Sequence, residues 1–364
     1  MPTISLCMIV KNEEDHIGRC LASVADLVDE IVIVDTGSTD RTVPIVREYT
    51  DRVHHFRWID DFAAARNYSF SLAEKEYILW LDADDVFEEP DRIKLAALKK
   101  TLEPSVDAVN MVYNLAFDEF GQVSASIRRN RLVKRSCGFL WHGPVHEYLE
   151  VRGSVRTTDI AVTHRALHHD SGRNLRIYEN RLAQGETFSP RDLFYFANEL
   201  KDHRMYNRAI HYYQEFLGTG NGWIEDNISA CGRLADCFHA LGDEKRELDS
   251  VFRSFLYASP RAEFCCRLGY VFLRKKDCRT AAYWYEAALQ AGKHTDSWAL
   301  THVACSTWLP HLQLCVCYDR LGEHELAHRH NETVLEYRPG DRQALANKIY
   351  LEGVLAGKEG TPAD

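Results

Sequence analysis

The chain has 364 residues, roughly two to three domains' worth, and is long enough to bury a sizeable core. Hydrophobic residues make up 45% and charged residues 27%, which excludes a disordered chain, and 20 Gly with 10 Pro exclude a fibrous one. The formal net charge of -10 excludes a basic field over the whole protein, while leaving room for a local basic patch.

The first half alternates apolar runs with helical spacing. Ile4 to Val10 reads as a buried strand. Asp15 to Val28 carries Ile17, Leu21, Val24 and Val28 on one helical face. Ile31 to Val34 predicts a second strand, Thr42 to Tyr49 a helix, Val53 to Trp58 a third strand, Phe62 to Leu72 a helix and Tyr77 to Leu81 a fourth strand. This β-α-β-α-β-α-β order predicts an α/β fold with a parallel sheet and crossover helices. Val106 to Phe117 and the stretch around Arg131 to Val133 read as later strands. Met1 to Val10 lacks a basic region and a small-residue cleavage site, so it reads as a strand and not a signal peptide. No run of about 18 apolar residues predicts a membrane span.

From about residue 175 the strand signals stop and helical stretches follow one another. Ala209, Tyr213 and Leu217 recur in spacing at Ala281, Tyr285 and Leu289, again at Ala327, Asn331 and Leu335, and weakly at Leu248, Phe252 and Leu256. The intervals scatter around the 34-residue period of tetratricopeptide repeats. Leu241-Gly242-Asp243 and Leu321-Gly322-Glu323 read as turns within helix pairs, with Pro260 and Pro339 after them. The expected division is residues 1–170 for the α/β domain and 171–364 for an all-α repeat domain. Eleven cysteines, an odd number without a disulfide framework, predict free thiols and a cytoplasmic protein. Cys265-Cys266 and Cys315-x-Cys317 read as buried helix residues and not a zinc site.

The strongest local signal is Trp80-Leu81-Asp82-Ala83-Asp84-Asp85, where an apolar strand ends in three carboxylates. The C-terminal ends of parallel strands form the ligand face of an open α/β sheet. Clustered carboxylates repel one another unless a cation sits among them, and oxygen ligands favour Mg²⁺ or Mn²⁺. An EF-hand loop fits poorly, because Val86 falls where an acidic ligand is needed. A second buried strand delivers Asp35 into Thr36-Gly37-Ser38-Thr39-Asp40, and such an acid can accept from a base N–H or a ribose hydroxyl. Arg66, in Phe62-Ala-Ala-Ala-Arg66-Asn67, can meet a phosphate or clamp a carboxylate. The first strand runs into Lys11-Asn12-Glu13-Glu14 without glycine, which disfavours a dinucleotide fold, and no phosphate-binding loop of the nucleoside triphosphatases is present.

The order K-N-E, E-I-V-I-V-D-T-G-S-T-D-R-T, A-A-A-R-N and L-D-A-D-D over residues 3–90 resembles the inverting glycosyltransferases of family 2, which have the GT-A fold. His142-Gly-Pro-Val-His146-Glu147, then Ile160 to His164, then repeats, is similar to the subgroup fused to tetratricopeptide-like helices, which includes the sublancin-type S-glycosyltransferases. The resemblance implies a hexosyltransferase using a UDP-sugar donor and a divalent metal. It implies that Val10 lines the nucleotide pocket, Asp35 contacts uracil or ribose, and Asp82 contacts ribose or sugar. Arg66 falls near the sugar or diphosphate, Asp84 binds the metal and His164 completes the metal site, with His168 and His169 as competitors.

Inversion needs a base on the acceptor side. The E-D pair that many family members use is missing between residues 100 and 165; Asp118-Glu119 is a D-E pair in another context. Glu147 is the better candidate, with His146 as its rival. Arg128, Arg129, Arg131, Lys134 and Arg135 read as a diphosphate or acceptor patch, or as a solvated hairpin face. The repeats suggest a peptide or protein acceptor in or near their groove and also offer a homodimer surface, and the resemblance implies that the acceptor is a Ser, Thr or Cys side chain. A surface polysaccharide or lipid-linked sugar, a modified DNA base, and an inactive scaffold are the alternatives; overall acidity leaves a nucleic-acid acceptor open.

Overall fold

A computed structural model describes residues 1–165, 172–291 and 301–359. The chain divides into two compact units, one of residues 1–116 and 126–188, the other of residues 117–125 and 189–364.

The first unit is built on a mixed sheet. Its first half comprises β1 (Ile4–Val10), α1 (Ile17–Ala22), β2 (Glu30–Asp35), α2 (Thr42–Val46), β3 (Val53–His55), α3 (Phe62–Ser71) and β4 (Tyr77–Trp80). There follow β5 (Asp85–Val86), α4 (Glu89–Thr101), β6 (Ala108–Phe117), β7 (Val123–Lys134), β8 (Trp141–His142), β9 (Tyr148–Leu149), β10 (Val155–His164) and α5 (Arg173–Ala183). The sheet runs β3-β2-β1-β4-β7-β6-β10-β5. β1 pairs in parallel with both β2 and β4, β2 in parallel with β3, and β4 antiparallel with β7. β1, β2 and β4 are almost wholly buried, which is why they read as continuous apolar runs and not as alternating ones. The chain moves from β1 outward to β2 and β3, then crosses to β4 on the other side of β1. The crevice between the C-terminal ends of β1 and β4 is therefore a topological switch point, the place where open α/β sheets bind ligands.

Three elements are shorter than their pattern suggests by three residues or more, one of them the helix expected over Thr42 to Tyr49, which is regular only over Thr42–Val46. The third strand stops at His55, because an edge strand with one partner pairs over three residues only. The helix expected from Asp15 to Val28 is regular only over Ile17–Ala22, although Ile17, Leu21 and Val24 are buried as the spacing requires.

The second unit is helical. Its helices are α6 (Pro190–Asp202), α7 (Tyr206–Gly218), α8 (Ile224–Ala240), α9 (Glu244–Ser254), α10 (Ala262–Arg274), α11 (Cys278–Ala291), α12 (Trp308–Arg320), α13 (His324–Tyr337) and α14 (Arg342–Glu359). They pack as successive antiparallel pairs of the tetratricopeptide kind. The Ala-Tyr-Leu triads fall on the second helix of each pair, with Ala209, Tyr213, Ala281 and Tyr285 buried. In the third triad Asn331 replaces the tyrosine, and its Nδ2 donates to the Ala344 carbonyl (2.9 Å). The weak copy at Leu248, Phe252 and Leu256 is out of register. Phe252 is 46% and Leu256 81% exposed, while Glu247, Val251 and Ser254 face inward, so the inward row begins one residue earlier.

α5 belongs with the first unit, whereas the sequence reading opens the repeat domain at residue 171. Its Arg173 guanidinium stacks 4.7 Å over the Phe62 ring of α3, and Tyr178 is fully buried. The repeat helices start instead at α6, where Ser189 and Asp192 form a capping box ahead of Pro190. The tip of the β6–β7 hairpin, residues 117–125, belongs to the second unit, which accounts for the D-E pair. Arg338 pairs with Glu119 and Asp341 and lies between the rings of Phe120 (4.4 Å) and Trp308 (4.0 Å). All eleven cysteines are free. No helix among the described residues is long and apolar enough to cross a membrane.

Candidate active site

Three groups of residues meet at the C-terminal edge of β1, β2 and β4. The first lies at β1 and β2. Val10 and Asp35 are paired neighbours in the parallel register, each the last residue of its strand. Val10 is buried, and its carbonyl accepts from the Thr36 amide (2.9 Å). Gly37 and Ser38 amides donate to the Asp35 carboxylate (3.1 and 3.0 Å), so the turn after β2 is built around this acid; Gly37, at φ 107°, takes a conformation that suits glycine. His55 Nδ1 stands 3.8 Å from Asp35. A carboxylate has about four acceptor sites, so Asp35 keeps capacity for a base or ribose donor.

The second group centres on Arg66. α3 begins at Asp61, whose side chain accepts from the Ala64 amide, and this cap fixes the helix that carries Arg66 inward. Arg66 Nη2 donates to Asp82 Oδ1 (2.6 Å) and Nε to Glu147 Oε1 (2.6 Å), while Trp80 and Trp141 flank the guanidinium at 5.0 and 4.9 Å. Burial alone would raise the carboxyl pKa of Asp82, but Arg66 and then Arg131 outweigh it and hold it down to about 2. Asp82 and Glu147 thus share one cation.

The third group is Asp84, Asp85 and His164, each offering a ligand atom within 4.8 Å of the others. β10 pairs antiparallel with β5, which sets His164 opposite Asp85. His164 Nδ1 lies 3.4 Å from Asp84 Oδ1, 3.7 Å from Asp85 Oδ1 and 3.0 Å from the Tyr113 hydroxyl. Contact with Asp84, then with Asp85, pushes the imidazole up to about 10. Two carboxylates and an imidazole form a donor set suited to a hard or borderline divalent cation. Asp85 Oδ1 is buried and without a hydrogen-bond partner. The residues fit a metal ion.

The structure therefore brings Val10, Asp35, Arg66, Asp82, Asp84 and His164 to one sheet edge, and adds Glu147 through Arg66. His146, at φ 50°, is in the same loop as Glu147. His168 and His169 lie outside the described residues. Asp85 enters the cluster without a sequence-assigned role; its signal was the third acid of D-A-D-D. The basic cluster is divided by the strand's alternation. Arg131 is fully buried at the carboxylates, while Arg128 points to the other face and donates to Asn110 (3.2 Å) and the Thr158 carbonyl (2.9 Å). Lys134 and Arg135 bond the Pro104 and Lys75 carbonyls.

Glu13 is a further residue that sequence reasoning left without a task. The backbone turns at Asn12, φ 54°, where dinucleotide folds use glycine; the Asn12 side chain accepts from the Thr39 amide (2.8 Å). Burial, then the neighbouring charges of Asp84 and Asp82, raises the Glu13 carboxyl to about 7. An acid with a raised pKa keeps its proton in the folded chain after the unfolded chain has lost it. Folding stability from this group therefore declines as pH rises from about 4.5 to about 7. Glu13→Gln should melt progressively higher than the parent protein as pH goes from 5 to 8. An offset that stays constant across that range would remove Glu13 from the site's electrostatics.

Comparison with known proteins agrees with this geometry. Residues 5–150 match the model for Glycosyl transferase family 2. The chain joins a family 2 glycosyltransferase domain to tetratricopeptide-like repeats. It is 39% identical over 150 residues to a TPR repeat-containing protein of Synechococcus elongatus, covering 41% of this chain and 36% of that one. It is 31% identical over 214 residues to the SPbeta prophage-derived glycosyltransferase SunS of Bacillus subtilis, covering 55% and 49%. The chain spans half or less of the length of these relatives. Among solved structures, the C-terminal part of a TPR repeat-containing protein from Cytophaga hutchinsonii overlaps 53% of this chain and 69% of that one, at 11% identity and a TM-score of 0.42.

Proposed function

We propose that the protein transfers a hexose, with inversion, from a UDP-sugar to a Ser, Thr or Cys side chain of a peptide or protein. The observation that carries this reading is the meeting of Asp84, Asp85 and His164 with the Arg66–Asp82 pair at the switch point of a family 2 domain. Asp84, Asp85 and His164 would hold Mn²⁺ or Mg²⁺, whose chemistry is to neutralise charge on a departing diphosphate. Val10 and Asp35 form the nucleoside end of the site. Asp82, kept ionised by Arg66, accepts from ribose or sugar hydroxyls. The repeats support a peptide acceptor, since stacked helix pairs present extended surfaces for chain segments.

For Glu147 we propose a different task from the catalytic base expected of it. One oxygen is committed to Arg66 at 2.6 Å, so the carboxylate is held against that cation by a charge-assisted bond. We read it as a positioning residue that aims Arg66. Glu147→Gln should weaken donor binding and turnover together. A fall in turnover alone, with donor affinity kept, would restore the role of base.

The direct test is release of nucleoside diphosphate from a panel of UDP- and GDP-sugars with Mn²⁺, Mg²⁺ or EDTA. Turnover of one donor that EDTA abolishes supports the reading and names the sugar. Silence across the panel, with no donor binding by calorimetry, would overturn it in favour of a scaffold.

A further inference from the structure

The carboxylate turn is held from behind by a buried arginine. Arg131 is wholly shielded from solvent, as is its partner Asp85. Its Nη2 lies 3.0 Å from Asp85 Oδ2, and Nη1 donates to the Trp80 carbonyl (3.4 Å), the last residue of β4. The guanidinium is sandwiched between the Trp80 ring at 4.0 Å and the Tyr113 ring at 4.4 Å. Asp85 Oδ2 accepts from the backbone amide of Asp82 (3.0 Å), which closes the D-A-D-D turn on itself. Its other oxygen, Oδ1, is the buried and unbonded one that faces His164. The Tyr113 hydroxyl meets the same imidazole nitrogen. Arg131, Asp85, His164 and Tyr113 thus form a closed ring of contacts behind Asp84.

A carboxylate buried this deeply without a partner would be costly. Arg131 compensates that charge from the side away from His164. It stands at ion-pair distance from the oxygen that the Asp82 amide also holds, and the other oxygen is left aimed into the cluster.

We propose that Arg131 is a positioning residue for a divalent-cation site, setting Asp85 Oδ1 and, through Tyr113, the ring of His164. The inference rests on the metal-site reading given above. It makes a prediction opposite to that of simple charge. Removing a cation beside the carboxylates makes the site more negative, and charge alone would then tighten binding of a divalent cation. Loss of positioning weakens it, and removal of such supporting contacts ordinarily costs about 10- to 100-fold in metal affinity.

The experiment is calorimetric titration of Mn²⁺ into the full chain, with circular dichroism to check folding. The parent protein, Arg131→Met, Arg131→Lys and Tyr113→Phe are compared. The expected result is weaker binding by about tenfold or more in Arg131→Met, with Arg131→Lys failing to restore it because ammonium lacks the flat face that lies between the two rings. Tyr113→Phe should weaken binding to a smaller degree. Folded Arg131→Met that binds Mn²⁺ as tightly as the parent, or tighter, overturns the inference. Should that variant not fold, parent-like binding by both Arg131→Lys and Tyr113→Phe overturns it equally. A parent protein that binds no Mn²⁺ fails earlier, before any variant is compared, and overturns the metal-site reading together with this inference.

Discussion

Replacing Asp84 with alanine is expected to remove metal-dependent donor turnover by about three powers of ten or more while leaving the circular dichroism spectrum unchanged. The size follows from the several kcal/mol that a bound divalent cation contributes to stabilising a departing diphosphate. The retained fold follows from the setting of Asp84. Its side chain is 21% exposed and, among the described residues, pairs with His164, 3.4 Å away. His164 keeps Asp85 at 3.7 Å when Asp84 is lost, whereas removal of Asp85 would strand the buried Arg131. The measurement is nucleoside diphosphate release with saturating Mn²⁺, alongside thermal unfolding. Parent-like turnover in the folded variant would take Asp84 out of the metal site.

Arg66→Met should act on stability first. The guanidinium bonds Asp82 and Glu147 at 2.6 Å each, with its side chain 9% exposed and two indole rings beside it. Methionine fills much of the volume but leaves two carboxylates facing one another without a cation. Breaking a buried pair on one side costs about 3–5 kcal/mol, and because the Asp82 side chain is 35% exposed while that of Glu147 is 13% exposed, the low end of that range is expected. For a unit of this size that is a fall of about 10 °C in the unfolding midpoint. The deficit should shrink as pH is lowered. Asp82, held down to about 2 by Arg66 in the parent, would titrate at higher pH in the variant and take up a proton. Restoring stability by adding Asp82→Asn and Glu147→Gln to Arg66→Met would confirm that repulsion is the cause. A variant that melts with the parent at neutral pH would show the pair to be loosely held.

Both experiments read a site whose parts were unevenly visible in the sequence. The strands β1, β2 and β4 were legible because a strand buried on both faces must be apolar throughout, and each ends where an acid or a turn begins. The positions of Asp35, Asp82 and Asp84 were legible for the same reason: a carboxylate that ends such a strand, or falls in the turn after it, lies at the C-terminal edge of the sheet. The helical repeat was legible at Ala209, Tyr213, Ala281 and Tyr285, since each helix pair buries the same small-and-aromatic row against the next. The copy near Leu248 was read one residue out of register. Val251 has polar neighbours in Glu247 and Ser250 that are buried too, so hydrophobic spacing pointed to the wrong row.

Which segments are strands, which are helices and which acids end a strand can be read along the chain, because these depend on neighbours a few residues apart. What each charged group touches depends on the folded chain. Glu147 lies 81 positions from Arg66, and their contact cannot be inferred from local spacing. Asp85 becomes an internal support and a candidate ligand only because Arg131, arriving on β7, neutralises it away from water. Five basic residues in eight read alike along the chain, yet the pleat sends Arg131 to the carboxylates and Arg128 to Asn110. The physical reason is common to all three cases. A strand's apolar character is set by burial on its own faces, whereas the state of an ionisable group is set by whichever charges the fold brings within a few ångströms of it.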